Sequence, residues 1–268
     1  MGQAAAFQAA GHAAAAQDPE GPWRTQVLDA LNAAGAKDYP KAEQAFLRAV
    51  QESAHFGSDD PRLGTTLNSL GLVYRAEKKY SEAEGAYRRA LSIMEDAYGS
   101  SIDTANLNFN IANVMFDQGH QAEALPNLQR TAAIYERLLG DDSMKTADVR
   151  CMEGDAYRLT KRYPESETAL RKCADAREVN GGLITNGPLA DALHSLALTL
   201  IQEGKFSAAE PRLKIAEQIR ERTLGITSPI LAQTMEDHIS VLRELGRYKD
   251  AERLTTMAAA IRRQSRSK

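Results

Sequence analysis

The chain has 268 residues, 43% of them hydrophobic and 26% charged, with a formal net charge of −3, the composition of an ordinary globular protein. The weakly acidic balance argues against nucleic acid as the main partner, because phosphate binding draws on clustered Lys and Arg. No run of about 18 apolar residues is present to span a bilayer.

Residues 1–22 form an Ala-rich leader without charge before Asp18, expected to be disordered or partly helical. Ala14, Ala15 and Ala16 would pass for a signal-peptidase site, but the charged and Leu-rich segments of a secretory signal are missing. The expected compartment is the cytoplasm, with export as the alternative if the leader is the remnant of a signal.

From residue 23 to 264 a small-residue marker returns at Ala42, Ala83, Ala124, Ser166, Ala209 and Ala251, in steps of 41 to 43 residues. Three residues before each marker stand Tyr39, Tyr80, Gln121, Tyr163, Phe206 and Tyr248, and seven after it stand Ala49, Ala90, Thr131, Cys173, Ala216 and Ala258. Twelve before it stand Ala30, Gly71, Ala112, Gly154, Ala197 and Ile239. Small residues at such spacing are what two closely packed helices require.

The units fall at about 23–58, 59–99, 100–140, 141–182, 183–225 and 226–264, each read as two amphipathic helices joined by a tight turn such as Gly204-Lys205-Phe206. In the second unit Leu67, Leu70, Val73 and Tyr74 share one side of a helix, and Ala83, Tyr87, Ala90, Leu91 and Met94 share one side of the next. Gly71 and Ala83 are where the two backbones should approach. Arg150, Glu153 and His238 stand where apolar residues are expected, which predicts looser packing in repeats four and six. A short basic tail, residues 265–268, closes the chain.

No single helix pair can bury its apolar face alone, so the units must stack. The run Thr66-Leu67-Asn68-Ser69-Leu70-Gly71-Leu72-Val73-Tyr74, continuing to Tyr80-Ser81-Glu82-Ala83-Glu84 and Arg89-Ala90-Leu91, resembles tetratricopeptide repeats of the long kind found in kinesin light chains and their prokaryotic relatives. The joints Ala97-Tyr98-Gly99, Leu138-Leu139-Gly140-Asp141 and Thr223-Leu224-Gly225 are similar to that family's inter-repeat turns. The resemblance implies an all-α, right-handed superhelical solenoid of about six antiparallel helix pairs. It also implies a non-enzymatic scaffold that binds a peptide segment of a partner protein in its concave groove.

Chemistry-bearing motifs are missing. The five histidines show no metal-ligand spacing, Gly204-Lys205 lacks the rest of a phosphate loop, and no nucleophile elbow is present. No catalytic residue, metal site or cofactor is expected. Cys173 reads as a small hydrophobe in a packing slot and Cys151 as a groove residue, so nothing implies a disulfide framework, which leans toward a reducing compartment.

The groove should be lined by first-helix residues around each small marker. Asn68 and Arg75 come from repeat two, Phe109, Asn110, Asn113 and Phe116 from repeat three, Arg158 from repeat four, and His194 and Leu198 from repeat five. Asparagines serve as donors and acceptors for a peptide backbone, arginines as carboxylate clamps, and the apolar residues as pockets for anchors; the resemblance carries over Asn68, Asn110 and Asn113 in that role. Leu254, Met257 and Ile261 of the last helix are apolar with no capping helix after them. The alternative reading is therefore a self-associating platform, a homo-oligomer built through that end.

Overall fold

In every unit the residue three before the marker opens the second helix. The computed structural model describes residues 20–181 and 187–266, and its α-helices run in sequence order as six pairs. The first helices are α1 (Gly21–Gly35), α3 (Pro61–Ala76), α5 (Ile102–Asp117), α7 (Met144–Leu159), α9 (Gly187–Gln202) and α11 (Pro229–Glu244). The second helices are α2 (Tyr39–Glu52), α4 (Tyr80–Tyr98), α6 (Gln121–Leu139), α8 (Tyr163–Gly181), α10 (Phe206–Leu224) and α12 (Tyr248–Arg266). A 3-10 turn, Ser53–Phe56, follows α2, and no strand occurs among the described residues. Nearly all of the expected leader, residues 1–19, and the end of the basic tail, residues 267–268, lie outside the described residues.

Local sequence starts and stops these helices. Asp60 caps α3 by accepting from the Arg62 N–H at 2.9 Å, with Pro61 as the first helical residue. Ser101 and Thr104 form a reciprocal capping box on α5. Within the second pair, Lys78 takes a positive φ of 62° and the Lys79 N–H returns to the Tyr74 carbonyl at 2.8 Å. This closure satisfies orphan carbonyls of α3 while reversing the chain.

All eighteen small or substitute positions of the repeat pattern are buried. The marker residues Ala42, Ala83, Ala124, Ser166 and Ala209 have no exposed surface. Ser166 is tolerated there because its hydroxyl donates to the Gly154 carbonyl at 2.8 Å and meets the Thr199 hydroxyl at 2.9 Å. At Gly71 the close neighbour is the ring of Tyr87 rather than Ala83: an added Cβ would lie 2.6 Å from its Cε1. Gly154 likewise makes room for Leu170, whose Cγ would be 2.5 Å from a Cβ.

The chain divides into two compact units, one reaching Gln118 and one beginning at Gly119. In the first, α1 to α5 pack successively, and one cluster joins Ala30, Ala42 and Phe46 of the first pair to Leu70 and Val73 of α3. In the second, α6 to α12 do the same, with Leu170 of α8, Leu196 and Leu200 of α9, Leu213 of α10 and Val241 of α11 in one cluster. The last pair closes on itself: Leu231, Met235, Ile239 and Leu242 of α11 meet Ala251, Ala258 and Ile261 of α12, with Leu254 against them.

Clefts lie beside the polar residues of repeats four and six. Glu153 and His238 occupy the position immediately before the first-helix marker, where Leu70, Ile111 and Leu196 are core residues elsewhere. A cleft of about 380 Å³ lies beside Arg150, Glu153 and Tyr157, and one of about 460 Å³ beside His238. In repeat four the polar intrusion is satisfied: Arg150 bonds Glu153 at 2.5 Å and Glu136 of α6 through Nε at 2.9 Å. Burial would raise the Glu136 carboxyl, but hydrogen bonds from Arg150 and the nearby positive charge outweigh it and hold the group below its ordinary value.

The cysteine reading is corrected. Cys151 of α7 and Cys173 of α8 form a disulfide, with Cα atoms 5.3 Å apart. Cys173 does fill the packing slot, fully buried. The paired helices of repeat four bring position −3 of the first helix beside position +7 of the second, which 22 residues of separation conceal in the sequence.

Replacing Arg150 by Leu strands Glu153, a residue only 4% exposed, and should cost about 3 kcal/mol in chemical denaturation; Arg150→Leu with Glu153→Leu should recover most of it. Wild type should lose the Glu136 contribution as pH falls below the ordinary Glu value of 4.5, and Arg150→Leu should lack that acid limb. Reduction of the disulfide should remove about 3 kcal/mol, read as a fall in the thermal midpoint that a Cys151→Ala, Cys173→Ala variant does not show.

Candidate functional site

The first helices offer the surface on which side chains from successive repeats meet. In the first unit the Asn110 Nδ2 of α5 donates to the Asn68 Oδ1 of α3 at 2.9 Å. One helical stretch further on, the Arg75 Nε donates to the Asp117 Oδ2 at 2.6 Å. Both bonds join residues 42 apart, one repeat length. In the second unit the His194 imidazole of α9 donates through Nε2 to the Asp237 carboxylate of α11 at 2.8 Å, again one repeat apart. Asn68 with Asn110 and His194 with Asp237 occupy the same register, position −3 of one first helix against position −2 of the next.

Every groove position inferred from sequence is at least partly accessible, and none is in the core. Phe109, Phe116 and Leu198 are half-buried, each leaving an apolar edge on this face. Asn113 donates to the Phe109 carbonyl at 2.9 Å, and its amide oxygen remains for another partner. The two arginines expected as clamps are already engaged, Arg75 with Asp117 and Arg158 with Asp155 of its own helix at 3.0 Å. Partly exposed pairs of this kind contribute about 1 kcal/mol or less, so an incoming carboxylate competes for either arginine at small cost. Arg75 is held firmly protonated, chiefly by its bond to Asp117.

Between α7 and α9 a cleft of about 340 Å³ is lined by Asp148, Asp155, Asp191, Ser195, Arg177 and the disulfide at Cys151. Each of its three carboxylates is paired with an arginine, Asp148 with Arg177, Asp155 with Arg158 and Asp191 with Arg220, so the cleft carries no unpaired negative charge. Cys151 thus lines this cleft as half of a covalent bond.

Sequence reasoning passed over a second set of inter-helix ties. Arg177 of α8 bonds Asp148 of α7 at 2.6 Å, Arg220 of α10 bonds Asp191 of α9 at 2.8 Å, and Arg262 of α12 bonds Gln233 and Glu236 of α11. Arg177 and Arg220 are 8% and 5% exposed, and bonding to Arg262 keeps Glu236 below the ordinary carboxylate range. The signal was available: each arginine stands four residues after Cys173, Ala216 or Ala258, with a polar partner 29 residues earlier.

The residues named for self-association are divided. Ile261 is 7% exposed and belongs to the core of the last pair, Leu254 packs against that core, and Met257 alone is open, at 46%. No group of His, Cys, Asp and Glu among the described residues is arranged to hold a metal ion. No helix among them is long and apolar enough to cross a membrane.

Comparison with known proteins places this geometry. The model of the tetratricopeptide repeat matches residues 30–96, 103–178 and 188–264. No curated protein sequence matches the chain. Among solved structures, BtubC (BKLC) from P. vanneervenii is similar with a TM-score of 0.69 and 17% identity, over 86% of this chain and 93% of that one. A Podosopora anserina putative kinesin light chain with nearly identical TPR-like repeats is similar with a TM-score of 0.64 and 16% identity, over 78% of this chain and 98% of that one. YrrB, described as a TPR protein with an unusual peptide-binding site, has a TM-score of 0.54 and 16% identity, over 74% of this chain and 87% of that one. At these identities the likeness shows the fold, an all-α solenoid of helix pairs. With the repeat model matched across most of its length, the chain belongs to the tetratricopeptide repeat family, and its repeats are those of a protein–protein interaction scaffold.

Proposed function

We propose that the chain is a non-enzymatic scaffold whose first-helix face binds an extended segment of a partner protein. The observation that carries the reading is the amide ladder of the first unit, in which Asn68 and Asn110 meet one repeat apart beside Asn113 and the half-buried rings of Phe109 and Phe116. The Asn68–Asn110 bond uses one donor of the first pair's four and leaves amide hydrogens and lone pairs directed along the surface. A peptide backbone, which alternates donors and acceptors, complements such a row. The phenylalanine edges supply burial for its side chains.

The unusual peptide-binding site of YrrB is a precedent for the mode but not for the ligand.

The test is site-specific photo-crosslinking. A crosslinking residue at Asn113 should capture a discrete peptide of the partner, whereas one at Gly85, exposed on α4 with open space around it, should not. Asn68→Ala with Asn110→Ala should weaken the captured partner about tenfold with helicity unchanged. Capture at Gly85 alone would move the binding surface to the second helices.

A further inference from the structure

The cleft of repeat six holds a buried polar atom that the fold does not use. His238, on α11, is only 6% exposed. Its Nδ1 lies 2.9 Å from Glu217 Oε1 on α10, while its Nε2 is buried with no hydrogen-bond partner. A carboxylate only accepts, so the proton is assigned to Nδ1, and in the neutral ring Nε2 presents a bare lone pair. Buried groups of this kind are nearly always satisfied. In repeat four the residue at the same register, Glu153, is satisfied by Arg150 and stands 3.3 Å from the Tyr157 hydroxyl; His238 has no such second partner.

The walls around His238 say what would satisfy it. The cleft, about 460 Å³, is lined on its apolar side by Met235, Leu242, Leu254 and Met257. Thioethers make favourable contacts with aromatic rings, and unbranched methionine chains turn aside readily, as they must to open a path to the shielded Nε2. On the rim Arg247 bonds both Glu210 and Asp250, and Glu217 is engaged by His238 itself. What remains at the rim, Lys214, Glu221 and Arg253, is mixed in sign and exposed. No concentrated charge is left to select an ion.

We propose that this cleft between α10 and α12 is a binding site for a neutral aromatic ring carrying one N–H or O–H donor, of the indole or phenol class, which seats against the methionines and donates to His238 Nε2. Its size lies within the range of small-molecule sites. It is separate from the first-helix face, since two of its three walls come from second helices, and it does not depend on the peptide-binding reading. The same chemistry comes from a free aromatic metabolite or from a tryptophan or tyrosine side chain.

The experiment titrates the full chain with indole and, in parallel, with 1-methylindole, which has the ring but no donor, following the ¹⁵N resonance of His238 Nε2. Indole should move that resonance and bind about tenfold more tightly than 1-methylindole. Met257→Glu, at an exposed position on the cleft wall, should abolish indole binding with the fold intact, and His238→Leu, which installs the residue found at the same register in Leu70 and Leu196, should remove the preference for indole. A third titration with N-acetyltryptophanamide separates the sources: binding equal to indole assigns a side-chain ligand, and failure beside indole binding assigns a free ring. Equal affinity for indole and 1-methylindole, a stationary Nε2 resonance, or binding that survives Met257→Glu would overturn the proposal.

Discussion

Everything in this molecule rests on how closely paired helices approach one another. Ala42, Ala83, Ala124 and Ala209 have no exposed surface, and at Gly71 and Gly154 the space of a single methyl group is taken by Tyr87 and Leu170 of the partner helix. Extra volume forced into such a contact costs about 1–3 kcal/mol, and in a repeat array the strain passes to the neighbouring unit. Close approach also sets the register that brings position −3 of one first helix beside position −2 of the next. The Asn68–Asn110 and His194–Asp237 contacts are consequences of that register.

Where the pattern is broken, the molecule gains polar features. Glu153 and His238 displace a core leucine or isoleucine, and clefts lie beside both. Repeat four compensates with the Arg150 network and with the Cys151–Cys173 disulfide, which joins α7 to α8 covalently. Repeat six compensates for only one nitrogen of its histidine. Buried Tyr87 shows the same tension in the first unit: burial pushes its hydroxyl up, and the atom has no partner.

The fold was largely legible in the sequence because a period of 41 to 43 residues repeats the same packing demand six times. The starts of second helices could be read from the aromatic three residues before the marker, even where Gln121 replaces it. The polar intrusions Glu153 and His238 were legible for the same reason, at a position that Leu70, Ile111 and Leu196 fill with apolar side chains. Pairings were not. Arg75 was expected as a clamp for a partner's carboxylate and instead crosses to Asp117, and two cysteines 22 residues apart gave no sign of bonding. Such contacts depend on where side chains of different helices end, and a periodic pattern records only which face each residue occupies. The buried arginines Arg177 and Arg220 were missed because charge was read as surface.

Central to this account is the claim that small residues at the helix crossings hold each repeat and, through it, its neighbours. Native-state hydrogen exchange on Ala209→Leu tests it most directly. Protection should fall most in α9 and α10, less in α8 and α11, and hardly in α7. Unchanged protection in α9 and α10, or a uniform loss across the whole chain, would contradict it.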